Sequence, residues 1–376
     1  MPMLPPLVTV VVRSMGRACL AEALASVGRQ RHRPLELVVV DATGGSHPSL
    51  PRIPGLDDVR LVSVGRRLNR PAAANVGLEA ARGDWIGFLD DDDFLEPTHV
   101  DRLLARAASG DRPTLVYAQH WKLDRFHRVT HQRYHGFNPL ILYYYCLIPG
   151  MACILHRSLR DAGHRLDETL ETSEDWDFWV RLLPHARFAT IREPTHFYFA
   201  EAGTSGTGVG ANSRNRERHL RFHAIVRDRY AADRDRAWEA HFARLAEGIR
   251  MHEEGRIDAA RSLYAGVLRD HHDEPNAVYL LGRTYLATGQ LRTARALFRQ
   301  AIWMNGDAGE FHFALGEVCA ALDMPDEARD AFANAARHAP ALREASAEHL
   351  ARLADRGSAP GFAAVDVAPV ARNAPC

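Results

Sequence analysis

The sequence has few cysteine residues, and their spacing fits neither a disulfide framework nor a structural zinc site. Five cysteines occur among 376 residues, at positions 19, 146, 153, 319 and 376, and no two of them form a C-x-x-C pair. Disulfide-stabilised folds use an even set of cysteines, and structural zinc sites use closely spaced pairs. We therefore expect a protein that works in a reducing compartment.

An excess of charge of one sign is also absent. Lysine plus arginine and aspartate plus glutamate each number 47, which gives a formal net charge of zero. Surfaces that bind nucleic acid usually carry a basic excess. We therefore expect no nucleic-acid partner.

The chain lacks a long, uninterrupted apolar run. The longest candidate, "PLILYYYCLIPGMACIL", is broken by Pro149 and Gly150, and no basic segment precedes the apolar stretch near the N-terminus. The first feature favours a core segment over an integral membrane span, and the second argues against a secretory signal. We expect a cytoplasmic protein, with peripheral binding at the inner face of the membrane left open.

The N-terminal half of the sequence alternates short apolar runs with helical patterns. The runs are residues 7–12, 35–41, 59–64 and 85–90. Apolar strands that alternate with helices are typical of a Rossmann-like α/β domain with a mostly parallel sheet. Ligands of such sheets bind beyond the carboxyl ends of the strands. Asp41 and Asp90 each end a predicted strand, so we expect both at one crevice.

The C-terminal half repeats with a period of 34 residues. The matching positions are Gly248, Gly282 and Gly316, then Ala260, Ala294 and Ala328, then Tyr264, Phe298 and Phe332. Small residues at two positions and an aromatic residue at a third resemble tetratricopeptide repeats, in which each repeat is a pair of helices. The pattern predicts an all-α solenoid of three helix pairs.

These patterns divide the chain into four predicted segments. They are an α/β domain over 1–215, a charged connecting helix over 216–240, the repeats with a capping helix over 241–354, and a disordered tail over 355–376. The tail is rich in alanine and proline, which disfavours a packed core.

The segment "WIGFLDDDDFLEP", residues 85–97, places four aspartates directly after a predicted strand. Adjacent carboxylates repel one another, and burying them requires a cation nearby. A solvated acidic turn that caps the next helix is the simplest interpretation, but Asp90 falls at the predicted crevice. Mg²⁺ and Mn²⁺ are often held by one or two carboxylates plus substrate phosphates. We therefore expect a divalent cation here, with its shell completed by a nucleotide diphosphate.

Several segments, in order along the N-terminal half, resemble family 2 glycosyltransferases. They read "VTVVVRSMGRACLAEALASVGRQRHRPLELVVVDATGG", "AAANVGLEAARGDWIGFLDDDDFLEP" and "SEDWDFWVRL". The resemblance implies a GT-A-like fold, with residues 1–215 as a glycosyltransferase domain that uses a nucleotide-diphospho-sugar. It also implies that Asp90 and Asp92 form the Asp-x-Asp motif that binds Mn²⁺ or Mg²⁺.

The same resemblance assigns roles to individual residues. The nucleotide-sugar site would comprise Val12, Arg13, Ser14, Asp41, Asn75, Asp90 and Asp91. Within this set, Asp41 would contact the base, and the turn that begins at Arg13 would lie under the nucleoside. Asp175 would be the catalytic general base. Glu174, His156 and Arg157 would lie on the acceptor side, and Glu174 is also the alternative base, since sequence does not separate adjacent carboxylates.

The segment "TSEDWDFWVRL" has the pattern of an amphipathic helix that begins near Ser173. Thr172 or Ser173 is a natural N-cap, and acidic residues in a first turn suit the helix dipole. Helix-start chemistry alone would explain the acids without a catalytic role. Asp177 and Arg181 are four residues apart, and we expect them to form a surface pair.

The resemblance implies a single displacement that inverts the anomeric centre. Asp175 would take the proton of an acceptor hydroxyl as its oxygen attacks, while the metal-held diphosphate leaves from the opposite face. The acceptor would be a glycan, a lipid-linked saccharide or a protein. The repeats would bind a protein partner.

Three departures from the family pattern leave an alternative open. The first turn reads "RSMG", the second aspartate of the "DDG" pattern is Ala42, and "FYFAEAGTSGTGVG" lacks the usual histidine. The glycine-rich segment 203–210 is either a lid over the phosphates or a flexible linker. The alternative function is a non-catalytic scaffold that senses nucleotide sugars and acts through its repeats. A nucleotidyltransferase ranks last, because the first turn has only one glycine.

Overall fold

The computed structural model describes residues 4–109, 114–123, 129–130, 137–146, 148, 152–199, 216–271 and 273–355. The chain divides into two compact units, Met1–Asp235 and Arg236–Cys376. The predicted tail after residue 355 and the glycine-rich segment 203–210 lie outside the described residues. Within the described ranges, no helix is both long enough and apolar enough to cross a membrane.

The first unit is built on a mixed β-sheet. Its strands are β1 (Val8–Ser14), β2 (Leu35–Asp41), β3 (Val59–Val62), β4 (Trp85–Asp90), β5 (Phe94–Leu95), β6 (Leu115–Leu123), β7 (Val129–Thr130), β8 (Cys153–His156) and β9 (Phe188–Phe199). Their order is β3-β2-β1-β4-β8-β6-β9-β5, with β7 beside β6. The strands predicted from sequence, β1 to β4, are mutually parallel. The predicted α/β domain is confirmed, but the sheet is mixed because β8 runs antiparallel to both β4 and β6.

Helices cover both faces of this sheet. They are α1 (Leu20–Gly28), α2 (Arg70–Ala80), α3 (His99–Ala107), α4 (Pro139–Leu142), α5 (Arg157–Asp161), α6 (Glu174–Leu182) and α7 (Arg216–Arg229). Val10 and Val12 of β1 share a core with α1 and α3, whereas Val11 shares a core with α2 and α6. Successive side chains of a strand point to opposite faces, so helices on both sides bury every residue of β1.

The segment predicted to connect the two halves, residues 216–240, forms two helices rather than one. The first, α7, ends at Arg229, and α8 (Ala231–Glu253) begins after Tyr230. Phe222 and Val226 of α7 are buried in the core of the first unit. The domain therefore extends past residue 215, because the apolar face of α7 is covered there.

The second unit consists of paired helices. They are α8, α9 (Ile257–Asp270), α10 (Pro275–Ala287), α11 (Leu291–Met304), α12 (Gly309–Ala321), α13 (Pro325–His338) and α14 (Arg343–Asp355), with a 3₁₀ turn at Pro340–Leu342. The pairs α8–α9, α10–α11 and α12–α13 correspond to the predicted repeats. The last helix, α14, packs against the core of the third pair, at the position predicted for a cap.

The glycine and aromatic positions of the repeat meet in space. A Cβ atom placed on Gly248, Gly282 or Gly316 would lie 2.4, 2.6 or 2.7 Å from a ring atom of Tyr264, Phe298 or Phe332, respectively. Real Cβ atoms essentially never approach a neighbour within 3.0 Å. The repeated glycine therefore marks a close contact between the two helices of each pair, in which no side chain fits.

This contact predicts the effect of a single methyl group. We expect Gly316→Ala to lower the free energy of unfolding of the second unit by about 1–3 kcal/mol, because the methyl must displace the fully buried ring of Phe332. Gly266→Ala, inside α9, is the matched control, since its nearest neighbours are arginine side-chain ends at 3.4 and 3.7 Å. Calorimetry of the full chain should show a lower melting temperature for Gly316→Ala alone. Equal melting of the two variants would contradict this explanation.

Candidate active site

An arginine from β1 and an arginine from α2 bind the aspartate at the end of β4. Arg13 lies beside Asp90 in the register of the two strands, and its Nε and Nη2 atoms donate to Asp90 Oδ1 at 2.8 and 2.5 Å. Arg70, the first residue of α2, places Nη2 3.4 Å from Asp90 Oδ2. Burial alone would raise the pKa of Asp90, but the two guanidinium groups lower it to about 2. Asp90 is therefore ionised throughout the physiological range.

The same two arginines reach the first turn of α6. Arg13 Nη1 and Arg70 Nε lie 3.2 and 3.3 Å from Glu174 Oε1. Glu174 is only 1% exposed and Arg13 only 5%, so the group is a buried ion cluster. A buried charge is tolerated only when it is paired. The cluster fixes the end of β4 against α6, and it brings the acidic segment and the predicted base helix to one place.

A third arginine organises the next two aspartates. Asp91 accepts hydrogen bonds from the backbone amide of Met15 at 2.9 Å and from Arg17 Nε at 3.1 Å, so it holds the turn after β1. Arg17 Nη1 also lies 3.1 Å from Asp92 Oδ2. Burial, together with Asp90 and other neighbouring acids, raises the pKa of Asp92 to about 7. Asp92 is thus the carboxylate of the Asp-x-Asp pair whose charge is least well compensated.

Asp93 has a structural role instead of capping a helix. Its carboxylate lies 3.1 Å from His196 Nε2 and accepts from the backbone amide of Phe199 at 3.0 Å, which ties it to β9. The next helix, α3, begins after Thr98 and has no side-chain cap. The simplest interpretation of the acidic run, a solvated turn with a capping aspartate, is therefore wrong for this residue, because its side chain is buried against β9.

The two adjacent acids at the start of α6 differ in accessibility. Glu174 is buried and held by two arginines, whereas Asp175 is partly exposed. Asp175 Oδ1 accepts a hydrogen bond from the backbone amide of Trp176, at 2.8 Å. Burial and the nearby charge of Glu174 raise the pKa of Asp175 to about 6. A carboxylate with that pKa is ionised at neutral pH and can still accept a proton.

The start of α6 is irregular. Ser173 occupies the predicted N-cap position, but its φ is 61° and its side chain makes no capping bond. Its hydroxyl is buried and has no hydrogen-bond partner among the residues that the structure describes. Left-handed backbone at a non-glycine residue costs about 1 kcal/mol or more and is found often at functional sites. Other contacts must therefore hold this turn in place.

The remaining residues assigned to the nucleotide-sugar site are engaged within the protein. Asp41 accepts from the amides of Thr43 and Gly45 and from the hydroxyls of Thr43 and Ser63. These bonds outweigh the effect of burial and lower its pKa to about 2. Ser14 Oγ lies 2.8 Å from His47 Nε2. The side chain of Val12 is in the core, so Val12 can meet a ligand only through its backbone.

Asn75 is hydrogen-bonded to the loop that precedes α6. Its amide nitrogen donates to the carbonyl of Leu166 and to Glu168 Oε1, both at 3.0 Å, and its oxygen accepts from the amide of Leu166 at 2.8 Å. The side chain is therefore used to hold the loop before α6. These hydrogen bonds give the side chain a structural role, and the placement of Asn75 near the donor stays a prediction.

His156 and Arg157 lie at the opposite end of β4 from Asp90. His156 pairs with Trp85, the first residue of β4, whereas Asp90 is the last. Five residues of strand separate the two ends by about 16 Å. His156 caps α5 through a bond from the amide of Ser158, and Arg157 lies 3.4 Å from Asp84. Because β8 runs antiparallel to β4, both residues lie far from Asp90, and their assignment to the acceptor side stays a prediction.

Sequence reasoning does not identify Arg17, Arg70 or His196, although all three contact the acidic run. Arg70 carries one usable signal: a positive charge at the start of a helix opposes the helix dipole, so it needs another stabilising partner. No comparable signal exists for Arg17, whose carboxylate partner lies 74 residues away. Such contacts depend on which strands become neighbours.

The site could hold a divalent cation only if a bound substrate supplied part of the coordination shell. Among the residues that the structure covers, no group of three or more His, Cys, Asp or Glu side chains converges on one point. Asp90 is paired with two arginines, so Asp92 is the carboxylate of the pair that is better able to bind a cation. Mg²⁺ and Mn²⁺ are often held by one or two carboxylates plus substrate phosphates, so this arrangement does not conflict with metal binding.

Comparison with known proteins gives separate family matches for the two parts of the chain. Residues 8–155 match the sequence model of glycosyl transferase family 2. Residues 251–302 and 279–347 match two tetratricopeptide-repeat models. The first match spans β1 to β8, and the others span the helices of the second unit.

Similar proteins include two curated bacterial sequences. The chain is 25% identical to the uncharacterized glycosyltransferase YwdF of Bacillus subtilis over 214 residues, which cover 52% of this chain and 75% of YwdF. It is 36% identical to the succinoglycan biosynthesis protein ExoO of Rhizobium meliloti over 106 residues, which cover 27% of this chain and 30% of ExoO. Among solved structures, Staphylococcus aureus TarS 1–349 in complex with UDP-GlcNAc is 14% identical, with a TM-score of 0.45, and covers 96% of this chain and 94% of that chain.

Proposed function

Because the N-terminal domain of this chain belongs to glycosyltransferase family 2 and tetratricopeptide repeats follow it, we propose that the protein is an inverting glycosyltransferase with Asp175 as its general base. The observation that carries this assignment is the contrast within the first turn of α6. Glu174 is 1% exposed, and its carboxylate is paired with Arg13 and Arg70. Asp175 is partly exposed, and its pKa is raised to about 6 by burial and by Glu174.

In this proposal the chain provides one proton acceptor and a set of fixed charges. The acceptor hydroxyl loses its proton to the carboxylate of Asp175 while its oxygen attacks the anomeric carbon of the donor sugar. The nucleoside diphosphate leaves from the opposite face, so the configuration of the anomeric centre inverts. Glu174 is paired with Arg13 and Arg70 and keeps the first turn of α6 against β4. Such positioning accounts for much of the rate in an enzyme of this kind.

A divalent cation, Mn²⁺ or Mg²⁺, is part of the proposal for reasons of charge. The carboxylates of Asp90, Asp91, Asp92, Glu174 and Asp175 outnumber the guanidinium groups of Arg13, Arg17 and Arg70 among the site residues described. An incoming diphosphate would add further negative charge. Asp92 would hold the ion together with phosphate oxygens, and the ion would stabilise the charge of the leaving diphosphate.

The acceptor and the partners of the repeats belong to the same proposal. The acceptor is a hydroxyl of a glycan, a lipid-linked saccharide or a protein, on the cytoplasmic side of the membrane. The repeats provide a surface for a protein partner, which is the usual use of such solenoids. A non-catalytic nucleotide-sugar sensor is not favoured, because carboxylates with strongly perturbed pKa values cluster at catalytic sites.

Donor binding with and without metal tests the proposal. We expect at least one of UDP-glucose, UDP-galactose, UDP-N-acetylglucosamine and GDP-mannose to raise the melting temperature of the full chain, and to raise it further with Mn²⁺. A ligand at one hundred times its Kd stabilises a protein by about 2.7 kcal/mol. The same donor should be hydrolysed slowly. If a donor binds but no donor in the panel is hydrolysed, the result would support the sensor instead.

The metal-dependent part of that shift has its own control. Since the pKa of Asp92 is raised to about 7 by burial and by neighbouring acids, Mn²⁺ competes with a proton below that pH. The metal-dependent shift should therefore be larger at pH 8 than at pH 6. In Asp92→Asn it should be lost at both pH values. A shift in that variant equal to the wild-type shift would remove Asp92 from the metal site.

A further inference from the structure

A fully buried aspartate lies in the helix that carries Asp175. Asp177 is 0% exposed, and its carboxylate accepts three hydrogen bonds. Arg181 Nε donates to Oδ2 at 2.9 Å, while Arg229 Nη1 and Tyr230 Oη donate to Oδ1 at 2.6 and 2.8 Å. The spacing of Asp177 and Arg181 predicted a surface pair, which is wrong because α7 covers the aspartate.

The donors to Asp177 extend into a wider network. Arg229 Nη1 also donates to Asp167 Oδ2 at 2.8 Å, and Arg181 Nη2 donates to the carbonyl of Arg165 at 2.7 Å. Two carboxylates, Asp167 and Asp177, thus face two guanidinium groups, so the buried charges are balanced. The network joins α6, the end of α7 and the loop before α6. Breaking one member of a buried ion pair is costly because it leaves an uncompensated charge.

This network lies next to a helix start that has no ordinary cap. Ser173 is in the left-handed region and its hydroxyl makes no capping bond. The first regular bond of the helix is that from the amide of Asp177 to the carbonyl of Ser173, at 3.0 Å. Asp175 lies between these two residues. The position of Asp175 therefore depends on what holds Asp177.

We propose that Arg229 and Tyr230 are positioning residues for the transfer reaction. By binding Asp177, they hold the first turn of α6 so that the carboxylate of Asp175 stays aligned with the acceptor oxygen. The proposal rests on Asp175 being the general base. The two residues lie about 50 positions beyond the base helix in sequence. Like Asp175, they lie outside the family match, which ends at residue 155.

The structure also explains why this role falls to α7. Phe222 and Val226 anchor the helix in the core of the first unit, so its C-terminal end is fixed relative to α6. The side chain of Arg229 is 36% exposed, while its partner Asp177 is fully buried. The arginine therefore approaches from the surface and covers the carboxylate of Asp177. Tyr230 adds a neutral donor to the same oxygen.

Three variants and one control test the proposal in the full chain. They are Arg229→Gln, Arg229→Lys and Tyr230→Phe, with Arg227→Gln as the control, since Arg227 is on the same helix and pairs with exposed Asp228. The assay is hydrolysis of whichever of the four nucleotide sugars binds, with kcat and KM measured separately. We expect Arg229→Gln to lower kcat about tenfold or more, since small misplacements of catalytic groups have large effects. Donor KM should change less than about twofold, because the donor contacts other residues.

A pH profile distinguishes positioning from loss of fold. If the first turn of α6 loosens, water reaches Asp175, and its raised pKa falls back toward the ordinary value of an aspartate. The acid limb of kcat should therefore move to lower pH in Arg229→Gln. Arg229→Lys keeps the charge and should restore part of kcat. Tyr230→Phe removes one neutral hydrogen bond and should lower kcat by about threefold.

The outcomes separate this proposal from the function on which it rests. Unchanged kcat in both Arg229→Gln and Tyr230→Phe would overturn it. A loss of kcat that follows the folded fraction, with an unshifted acid limb, would also overturn it, because the role would then be structural. Asp175→Asn is measured alongside. Full activity in that variant would refute Asp175 as the base, whereas loss of activity there with no effect at Arg229 would refute the positioning role alone.

Discussion

Replacing Asp175 with asparagine should lower the rate of sugar transfer by about 10²- to 10⁴-fold, the usual contribution of a general base. Asparagine has nearly the same shape but cannot take a proton, so the fold should be kept. Donor binding should be unchanged, because the proposed function places the diphosphate at the Asp90–Asp92 segment and not at Asp175. The measurement is kcat and donor KM for the donor that the thermal shift identifies.

The pH dependence of the same reaction gives a second readout. Since burial and Glu174 raise the pKa of Asp175 to about 6, kcat of the wild type should rise with pH through about 6 and then level off, as the carboxyl group loses its proton. This acid limb should be absent in Asp175→Asn. Asp161→Asn is the matched control, because Asp161 is 52% exposed and lies on α5. Loss of activity in the control, or a retained acid limb in Asp175→Asn, would refute the assignment.

The variant Arg13→Met should destabilise the first unit by about 3–5 kcal/mol, the usual cost of removing one member of a buried ion cluster. Arg13 is 5% exposed, and it binds both Asp90 and the buried Glu174. Arg70 alone would then face both carboxylates. The relevant melting transition is the one that a bound donor shifts. We expect its midpoint temperature to fall by on the order of 10 °C. Calorimetry of the full chain measures it.

Two controls test the reason for that loss. Arg157→Gln removes an arginine that is 49% exposed and lies 3.4 Å from an exposed partner, and it should change stability by less than about 0.5 kcal/mol. The double variant Arg13→Met with Glu174→Gln should recover part of the loss, because the buried glutamate no longer carries an unpaired charge. Strictly additive losses in the double variant would show that the ion cluster is not the cause.

The acidic run illustrates how far a local pattern can be taken. Its position after an apolar strand predicts carboxylates at the carboxyl edge of a sheet, and the structure has them there. The same pattern requires a nearby cation but does not identify it. Three arginines, Arg13, Arg17 and Arg70, provide much of that charge. The raised pKa of Asp92 indicates that the compensation is incomplete at that residue.

The location of His156 and Arg157 shows what an apolar pattern does not record. His156 and Arg157 follow an apolar strand, as Asp90 does, but their strand runs in the opposite direction. A sequence records that a strand is buried, because burial on both faces requires apolar residues. It does not record the direction of that strand, because the apolar pattern is the same either way. The end of the sheet to which a residue belongs is therefore decided by the order of strands.

The amino-acid sequence by itself determined the two-part organisation, the first four strands, the 34-residue repeat and the acidic edge of the sheet. Each of these depends on the periodicity of neighbouring residues, which local structure reflects directly. Only the tertiary structure decided that Glu174 is buried and paired with two arginines, whereas Asp175 is partly exposed. It also decided that Asp177 is held by Arg229 and Tyr230. The ion pairs responsible join residues 77, 161 and 52 positions apart. Pairs so distant in sequence form only where packing brings separate strands and helices together.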